Sequence, residues 1–499
     1  MRVDTLKLTL SKLLAPVNPG AGRDLEIAGI CYDSRTVKPG DLFFALPGSH
    51  ASGAAFARQA ESGGAVAIDA EAPIPGVGIP VVTVPSAREA LALASRTFHG
   101  NPSSSLAVAG VTGTNGKTTT AWMIRHLCDA VGRACGLVGT VEYVLPGRIE
   151  PATRTTPESA DLQGLLAEMR DGGFRAAAIE VSSHALVQHR TTGVDFDAAV
   201  FTNLTQDHLD YHGTLEEYFE AKALLFDRLA GQTEKKGRAV INSDDRFGRR
   251  LLDRMGSSRP VITYGQGSNC SFRASAVQTT HEGTTFRLDA KGRSYLVRTP
   301  LIGIYNVLNT TAALAAVSAM GVELRRAVAA AATIPQVPGR LERVPGRRGF
   351  QCFVDYAHTP DAVAGVLRTL RQISRGRIIT VFGCGGDRDR SKRPLMAASA
   401  EELSDLAILT SDNPRGEDPA AILREAAAGF RTRSPEVVPD REQAILRAVD
   451  LAAPGDIVLI AGKGHEKYQE IGGIRHPFDD VRVASRAMSL KTPAAEERR

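Results

Sequence analysis

From Leu106 onward the chain alternates short apolar runs with amphipathic stretches of helical period, and few folds other than a helix-covered parallel sheet satisfy that alternation. Strand-like runs fall at 106–111, 176–181, 198–202 and 238–242. Residues 259–299 read as an all-β excursion and 307–320 as a helix. After a segment bounded by Pro335 and Gly339, a further α/β unit has runs at 352–355, 377–382, 406–411 and 456–461. Before Pro102 the texture differs, with short strands, turns and Ala-rich helices such as 87–98, then a polar linker at 99–105. Length agrees, since 499 residues at about 100–200 per domain suggest three domains. The expected boundaries are 1–102, 103–335 and 336–499.

In the last unit each strand run leads directly into a polar motif punctuated by glycine or proline. These are Asp355-Tyr-Ala-His358, Gly383-Cys-Gly-Gly-Asp-Arg-Asp389, Asp412-Asn-Pro-Arg415 and Gly462-Lys-Gly-His-Glu466. Open α/β sheets bind ligands beyond the carboxyl ends of their strands, so the four loops are expected to meet at one site. One such loop is commonplace, whereas four in succession are not.

The run at 105–112 leads into Gly113-Thr-Asn-Gly-Lys-Thr-Thr119 and then a helix from about Thr120 to Val131. Strand, glycine loop and helix make a phosphate cradle. Small residues let backbone N–H groups approach the anion, and the helix N-terminus adds partial positive charge. Lys117 is placed to reach β- and γ-phosphates, and Thr118 to offer its hydroxyl to Mg²⁺. Val111 stands where the longer eight-residue pattern has its first glycine, so only the Gly-x-x-Gly-Lys-Thr form is present. The cradle does not say what ATP is used for.

Residues 214–231 are a well-marked helix, with a Thr214/Glu217 capping box and Gly231 as the expected stop. Its apolar stripe runs through Leu215, Tyr218, Phe219, Leu225, Phe226 and Leu229, and Lys222 falls inside it. Two readings compete. Either the lysine snorkels at the edge of the stripe, or an ammonium or CO₂-derived carbamate faces an active site. A carbamate would offer oxygen to a hard metal. Glu180-Val-Ser-Ser-His184 and Thr202-Asn-Leu-Thr-Gln-Asp-His-Leu-Asp-Tyr-His212 follow other strand runs and, in a parallel sheet, put acids and histidines beside the phosphate loop; either histidine alone is equally well a structural residue.

Composition narrows the partners. Sixty Lys+Arg against 55 Asp+Glu leave a net charge of +5, mild for this length and without a dense basic block, so nucleic-acid binding is not expected. Six scattered cysteines lack metal or redox spacing, and no apolar stretch reaches membrane-spanning length. A cytoplasmic monomer without membrane insertion is expected, with a disordered tail at 491–499.

Together Gly113–Thr119, Glu180-Val-Ser-Ser-His184, Asn203…His208, Lys222, Asn306…Asn309 and Asp355-Tyr-Ala-His358 resemble the Mur ligases, ATP-dependent amino-acid-adding enzymes of peptidoglycan synthesis. The resemblance spans nearly the whole chain. It implies a three-domain α/β protein whose central parallel-sheet, P-loop ATPase-like domain is flanked by an N-terminal α/β UDP-binding domain and a C-terminal Rossmann-like domain. Within the family it runs to the branch that adds the third stem-peptide residue to UDP-N-acetylmuramoyl-L-alanyl-D-glutamate. Asp33-Ser-Arg-Thr36, followed by Pro39-Gly-Asp-Leu-Phe43, is similar to that branch's UDP-binding domain and marks Ser34 as a contact. Thr155, Thr156, Ser182, Gln188 and Arg190 match its sugar- and peptide-contacting positions.

The same resemblance implies that ATP lies on Gly113, Thr114, Asn115, Gly116, Lys117, Thr118 and Thr119. Asn309 would face adenine and Asp355 ribose, with Arg340 and His358 completing the site. Lys222 matches a carbamylated lysine, and with Thr118, Glu180 and His208 it makes the implied Mg²⁺ set; Lys117, Lys222, Glu180 and His208 are the implied catalytic group. The Asp412–Asn413–Pro414–Arg415 motif resembles that of meso-diaminopimelate-adding members, and lysine-adding relatives usually lack the arginine. A guanidinium suits the second carboxylate of diaminopimelate. Arg388, Gly462 and Glu466 would line the same pocket, while Arg390-Ser-Lys-Arg393 is a basic stretch without an assigned role.

The implied reaction phosphorylates the D-glutamate carboxylate and lets an amine displace phosphate, with the last domain closing to exclude water. A folylpolyglutamate-synthetase-like ligase would lack the N-terminal UDP unit. A P-loop switch would leave the four C-terminal motifs idle, and a degenerate nucleotide binder would not keep Lys117, Glu180, His208 and Lys222.

Overall fold

The computed structural model describes residues 8–20, 24–48, 52–207, 209–256, 260–346 and 348–489. His208 and the tail at 491–499 lie outside them. The first sheet has four parallel strands in sequence order, β1 (Gly29–Cys31), β2 (Asp41–Phe44), β3 (Ala67–Ala70) and β4 (Val81–Thr83). Helix α1 (Ala87–Phe98), capped by Ser86, packs Leu91 and its alanines on one face of that sheet.

The central sheet has eleven strands. In chain order they are β5 (Ala107–Thr112), β6 (Cys135–Val138), β7 (Glu142–Leu145), β8 (Arg148–Pro151), β9 (Ala176–Glu180), β10 (Ala198–Phe201), β11 (Arg238–Asn242), β12 (Val261–Gly265), β13 (Phe272–Thr280), β14 (Gly283–Ala290) and β15 (Arg293–Thr299). Their spatial order is β8-β7-β6-β9-β5-β10-β11-β12-β13-β14-β15. The pairings from β6 through β13 are parallel and those at both edges antiparallel. Helices α2 (Lys117–Ala130), α3 (Ser159–Asp171), α4 (Ser183–Val187), α5 (Leu215–Gly231) and α6 (Ile304–Ala319) belong to this unit. α2 and α6 cover one face, and α3 and α5 the other. Strands covered on both faces read as near-continuous apolar runs, which is why 176–181 and 198–202 were legible.

The all-β excursion is no separate sheet. β12 pairs in parallel with β11, and β13 in parallel with β12, so 261–299 extends the central sheet. Phe272, Phe286, Leu288 and Val297 face inward under α6 while their alternating neighbours are more exposed, a one-sided pattern that periodicity cannot assign to a particular sheet. Gly231 is the last residue of α5 rather than a left-handed stop; the chain leaves the helix in extended conformation at Gln232.

The third sheet runs β16 (Glu342–Val344), β17 (Gln351–Asp355), β21 (Ile457–Ala461), β18 (Ile378–Phe382), β19 (Leu406–Leu409) and β20 (Glu436–Val437) across its width. All pairings but β16–β17 are parallel. Fully buried Arg441 and Asp480 pair at 2.7 Å, and Arg441 also donates to Ala461 O at 3.0 Å, fixing the exit of β21. Among the described residues no helix is long and apolar enough to cross a membrane. All six cysteines are free thiols, five of them buried.

Asp69 on β3 is fully buried, and neither carboxyl oxygen has a hydrogen-bond partner among the described residues. Burial, aided by Glu71, pushes its carboxyl up to about 8. The folded state therefore keeps a proton that the unfolded chain sheds near the ordinary value of 3.8, so stability falls as pH rises from about 4 to 8. The cost is on the order of a few kcal/mol at neutral pH. Asp69→Asn is expected to flatten this slope in urea melts between pH 5 and 8; an unchanged slope would refute it.

Candidate active site

β5 ends between β9 and β10, with Glu180 opposite Val111 and Phe201 opposite Thr112, so the three following loops share one sheet edge. Gly113 sits at φ +145°, where a Cβ would lie 1.9 Å from Thr202 Oγ1. Gly116 sits at φ +87° against Asn309 Oδ1. Only glycine fits either position. The loop is pinned from the neighbouring strand: Thr114 N–H donates to Asn203 O at 2.8 Å and Asn115 N–H to Asn203 Oδ1 at 2.9 Å. Lys117 opens α2, and its Nζ donates to Gly113 O and Thr114 O at 2.9 and 2.7 Å. Thr118 and Thr119 are buried in the first turn.

Thr118 Oγ1 donates to Glu180 Oε2 at 2.9 Å. Glu180, fully buried, also accepts from Thr140 N–H at 2.8 Å and Thr140 Oγ1 at 3.0 Å. Arg340 Nη2 donates to Thr118 Oγ1 at 3.1 Å, and its guanidinium lies 4.6 Å from the Tyr356 ring centroid. A hydroxyl and a buried carboxylate this close are oxygen donors of the kind Mg²⁺ takes. Among the described residues no three His, Cys, Asp or Glu side chains group as a metal cage.

Lys222 does not snorkel. It is 1% exposed, donates to Gly113 O at 2.8 Å and sits 4.3 Å from the Tyr218 ring centroid. Burial first, then the charge of Lys117, pushes its ammonium well below the ordinary lysine range, with Asp207 opposing. Burial also lowers Lys117, opposed by Glu180 and Asp207 and reinforced by Arg340. Of the expected stripe, Tyr218, Phe219, Leu225, Phe226 and Leu229 are buried, and Leu215 at its start is half-buried.

The expected sugar- and peptide-contacting residues divide. Five join one network running back to Glu180. Thr155 Oγ1 lies 3.1 Å from Thr140 Oγ1, and Thr156 Oγ1 donates to Glu180 O at 2.6 Å and accepts Ser182 N–H at 3.1 Å. Arg190 donates to Thr156 O at 2.9 Å and Gln188 Oε1 at 2.6 Å. Ser34 stands apart in the turn after β1 of the first sheet, bonded to Gln59 Oε1 at 2.9 Å. Its loop docks through Tyr32, whose hydroxyl donates to Asp161 Oδ2 at 2.5 Å.

The four strand-end loops of the third sheet do meet. They line a cavity of about 370 Å³ through Tyr356, His358, Gly383, Arg388, Asp412, Asn413, Arg415, Gly462 and Glu466, faced by His184 and Asp207 from the central unit. Asp412 and Pro414 are buried, and Asp412 lies beneath Gly462, where a Cβ would meet its Oδ2 at 2.4 Å. Asn413 accepts from Lys463 Nζ at 2.9 Å and donates to Glu466 Oε2 at 2.7 Å. Arg415 adopts φ +53°, a conformation that costs a non-glycine residue of order 1–3 kcal/mol. Its backbone N–H donates to Glu470 O at 2.9 Å and its Nη1 to Gly386 O at 2.6 Å. His358 Nδ1 donates to Tyr356 O at 2.7 Å. Asp355 holds the N–H groups of Leu341 and Ala357 at 2.6 and 2.8 Å, and burial raises its carboxyl against the opposing charge of Arg340.

Four contributors had no individual role in the sequence: Thr140 and Lys392, and Asp207 and Lys463, which stand inside named strand-end motifs. Lys392 Nζ pairs with Asp207 Oδ1 at 2.9 Å across the two units. Arg393, 1% exposed, holds Glu417 at 2.7 Å and Glu425 at 2.6 Å. The basic stretch at 390–393 is therefore structural at one residue and a bridge at another. Its only sequence signal was a run of charges directly before a helix.

A phosphate cradle opening beside a cavity that a second α/β unit lines with charged groups fits an ATP-dependent, amide-bond-forming ligase, and comparison with known proteins places the chain in that class. Family models match along the chain: "Mur ligase family, catalytic domain" at 26–99, "Mur ligase middle domain" at 111–317 and "Mur ligase, glutamate ligase domain" at 339–464. The chain belongs to the Mur ligase family. It is 46% identical over 471 residues to a UDP-N-acetylmuramoyl-L-alanyl-D-glutamate–2,6-diaminopimelate ligase of Geobacillus thermodenitrificans, covering 94% of this chain and 96% of that one. A ligase of the same name from Solibacter usitatus is 45% identical, covering 96% of each. A solved structure of a ligase so named superposes with a TM-score of 0.71 at 35% identity, covering 97% of this chain and 99% of that one.

Proposed function

We propose that the chain joins meso-diaminopimelate to the D-glutamate carboxylate of UDP-N-acetylmuramoyl-L-alanyl-D-glutamate, working in the cytoplasm and releasing ADP and phosphate. The observation that carries this reading is the cavity shared by the two units: the four strand-end loops face His184 and Asp207, next to the cradle of Lys117 and Thr118. Relatives bearing that activity in their names support it along nearly the whole chain.

A carboxylate oxygen attacks the γ-phosphorus, the bond to ADP breaks, and an acyl phosphate forms. The amine nitrogen then attacks the acyl carbon, the bond to phosphate breaks, and the nitrogen sheds its proton. Lys117 leaves its loop carbonyls to neutralise the migrating phosphoryl group. Thr118, Glu180, His208 and a carbamate on Lys222 would hold Mg²⁺, which supplies further charge neutralisation there. Asn309, Arg340, Asp355 and His358 border the nucleotide. Ser34, Thr155, Thr156, Ser182, Gln188 and Arg190 hold the sugar nucleotide and its peptide. Arg415, with Arg388, takes the distal carboxylate of diaminopimelate, while Asp412, Asn413, Pro414, Gly462 and Glu466 shape the pocket around its ammonium.

With all three substrates, one ADP, one phosphate and one new amide are expected per turnover, measured by coupled assay and mass spectrometry. ATP hydrolysis at full rate without the sugar nucleotide would sink the ligase reading in favour of a switch.

A further inference from the structure

We propose that Glu158 is a positioning residue for the anionic groups of the sugar-nucleotide substrate, an inference that rests on the function proposed above. Its carboxylate, 8% exposed at the start of α3, gathers three guanidiniums. Arg154 Nη1 reaches Oε1 at 2.7 Å, Arg190 Nη2 reaches the same oxygen at 3.0 Å, and Arg88 Nη1 lies 3.5 Å from Oε2. Arg154 and Arg190 belong to the central unit, whereas Arg88 stands on α1 of the first unit. Arg88 also donates to Pro47 O at 3.0 Å, in the loop after β2.

One carboxylate cannot neutralise three guanidiniums. Asp161, the next acid along α3, is itself taken by the Tyr32 hydroxyl, and burial raises its carboxyl. Arg154 is 53% exposed and solvated, but Arg88 and Arg190, at 22% and 12%, bring excess positive charge into the seam between the first two units, and an anion completing them would offset their desolvation. A diphosphate or a peptide carboxylate has that chemistry, and Arg's planar fork suits both. The cluster is also wired to the reaction. Arg190 holds Thr156 O, Thr156 holds Glu180 O, and the Glu180 carboxylate holds Thr118 of the phosphate loop. Glu158 therefore sets where the arginines point and keeps like charges from scattering; it does not touch the reacting atoms.

The test is Glu158→Gln in the full-length enzyme, assayed for ADP release with ATP, meso-diaminopimelate and the sugar nucleotide. KM for the sugar nucleotide is expected to rise at least tenfold, with kcat within threefold and KM for ATP unchanged. Adding Arg88→Gln to that variant is expected to cost little more, because both act through one cluster. An unchanged or lower KM, or a loss confined to kcat, would overturn the proposal. Should Glu158→Gln fail to fold by circular dichroism, Arg88→Gln alone carries the test and is expected to raise the same KM at least threefold; no change would overturn the proposal equally. A wild-type enzyme inactive on this sugar nucleotide would instead overturn the functional reading beneath it.

Discussion

Lys222→Ala is expected to lower turnover about a thousandfold, the loss seen when a preorganised charge is removed from a reacting centre. The wild-type amine is fully buried, and desolvation plus the neighbouring Lys117 favour its neutral form. A neutral amine is nucleophilic: its nitrogen would bond to the carbon of CO₂, shed one proton and become a carbamate. That would convert a repulsive lysine pair into an attractive one, because Lys222 and Lys117 both reach the Gly113 carbonyl. Short carboxylic acids such as formate or acetate fit the space vacated by Lys222→Ala and restore an anion, so partial rescue that rises with acid concentration is expected. Full activity of the variant without any acid would remove Lys222 from the account.

Arg415→Lys is expected to raise KM for diaminopimelate by about two orders of magnitude while leaving KM for ATP unchanged. The replacement keeps the charge but loses the planar fork that binds a carboxylate through two parallel bonds. Truncating one member of a buried, hydrogen-bonded charge pair costs about 2–5 kcal/mol, and a lysine that recovers part of it stays toward the lower end. The backbone of Arg415 is strained and held by the hairpin at 468–477, so the side chain is presented at a fixed place rather than sampled. Lysine does not relieve the positive φ, so the comparison isolates the head group. An unchanged KM would move carboxylate recognition elsewhere, with Arg388 the next residue to test.

Much of this arrangement was legible along the chain because it depends on local rules. The capping box at Thr214 and Glu217 forms as its spacing requires, and α1 spans the expected 87–98. Strand runs were found to within one or two residues because buried parallel strands are continuous in apolar character. Lys222 was conspicuous because helical period put a charge among core residues. What stayed hidden is long-range. The acceptor of Lys222 is a carbonyl 109 residues away, and Asp207 meets Lys392 across 185 residues. Glu158 carries little local signal, since only Arg154 is near it in sequence and its other arginines come from positions 88 and 190. The union of 261–299 with the central sheet was equally invisible, because alternation reports a strand's faces and not its neighbour.

The most direct measurement is ADP release with ATP, Mg²⁺ and UDP-N-acetylmuramoyl-L-alanyl-D-glutamate, comparing meso-diaminopimelate with L-lysine at equal concentration. Turnover with diaminopimelate and little or none with lysine is expected, since only the former offers Arg415 a second carboxylate. Equal or faster turnover with lysine would contradict the assignment of that pocket, and no turnover with either amino acid would contradict the proposed reaction itself.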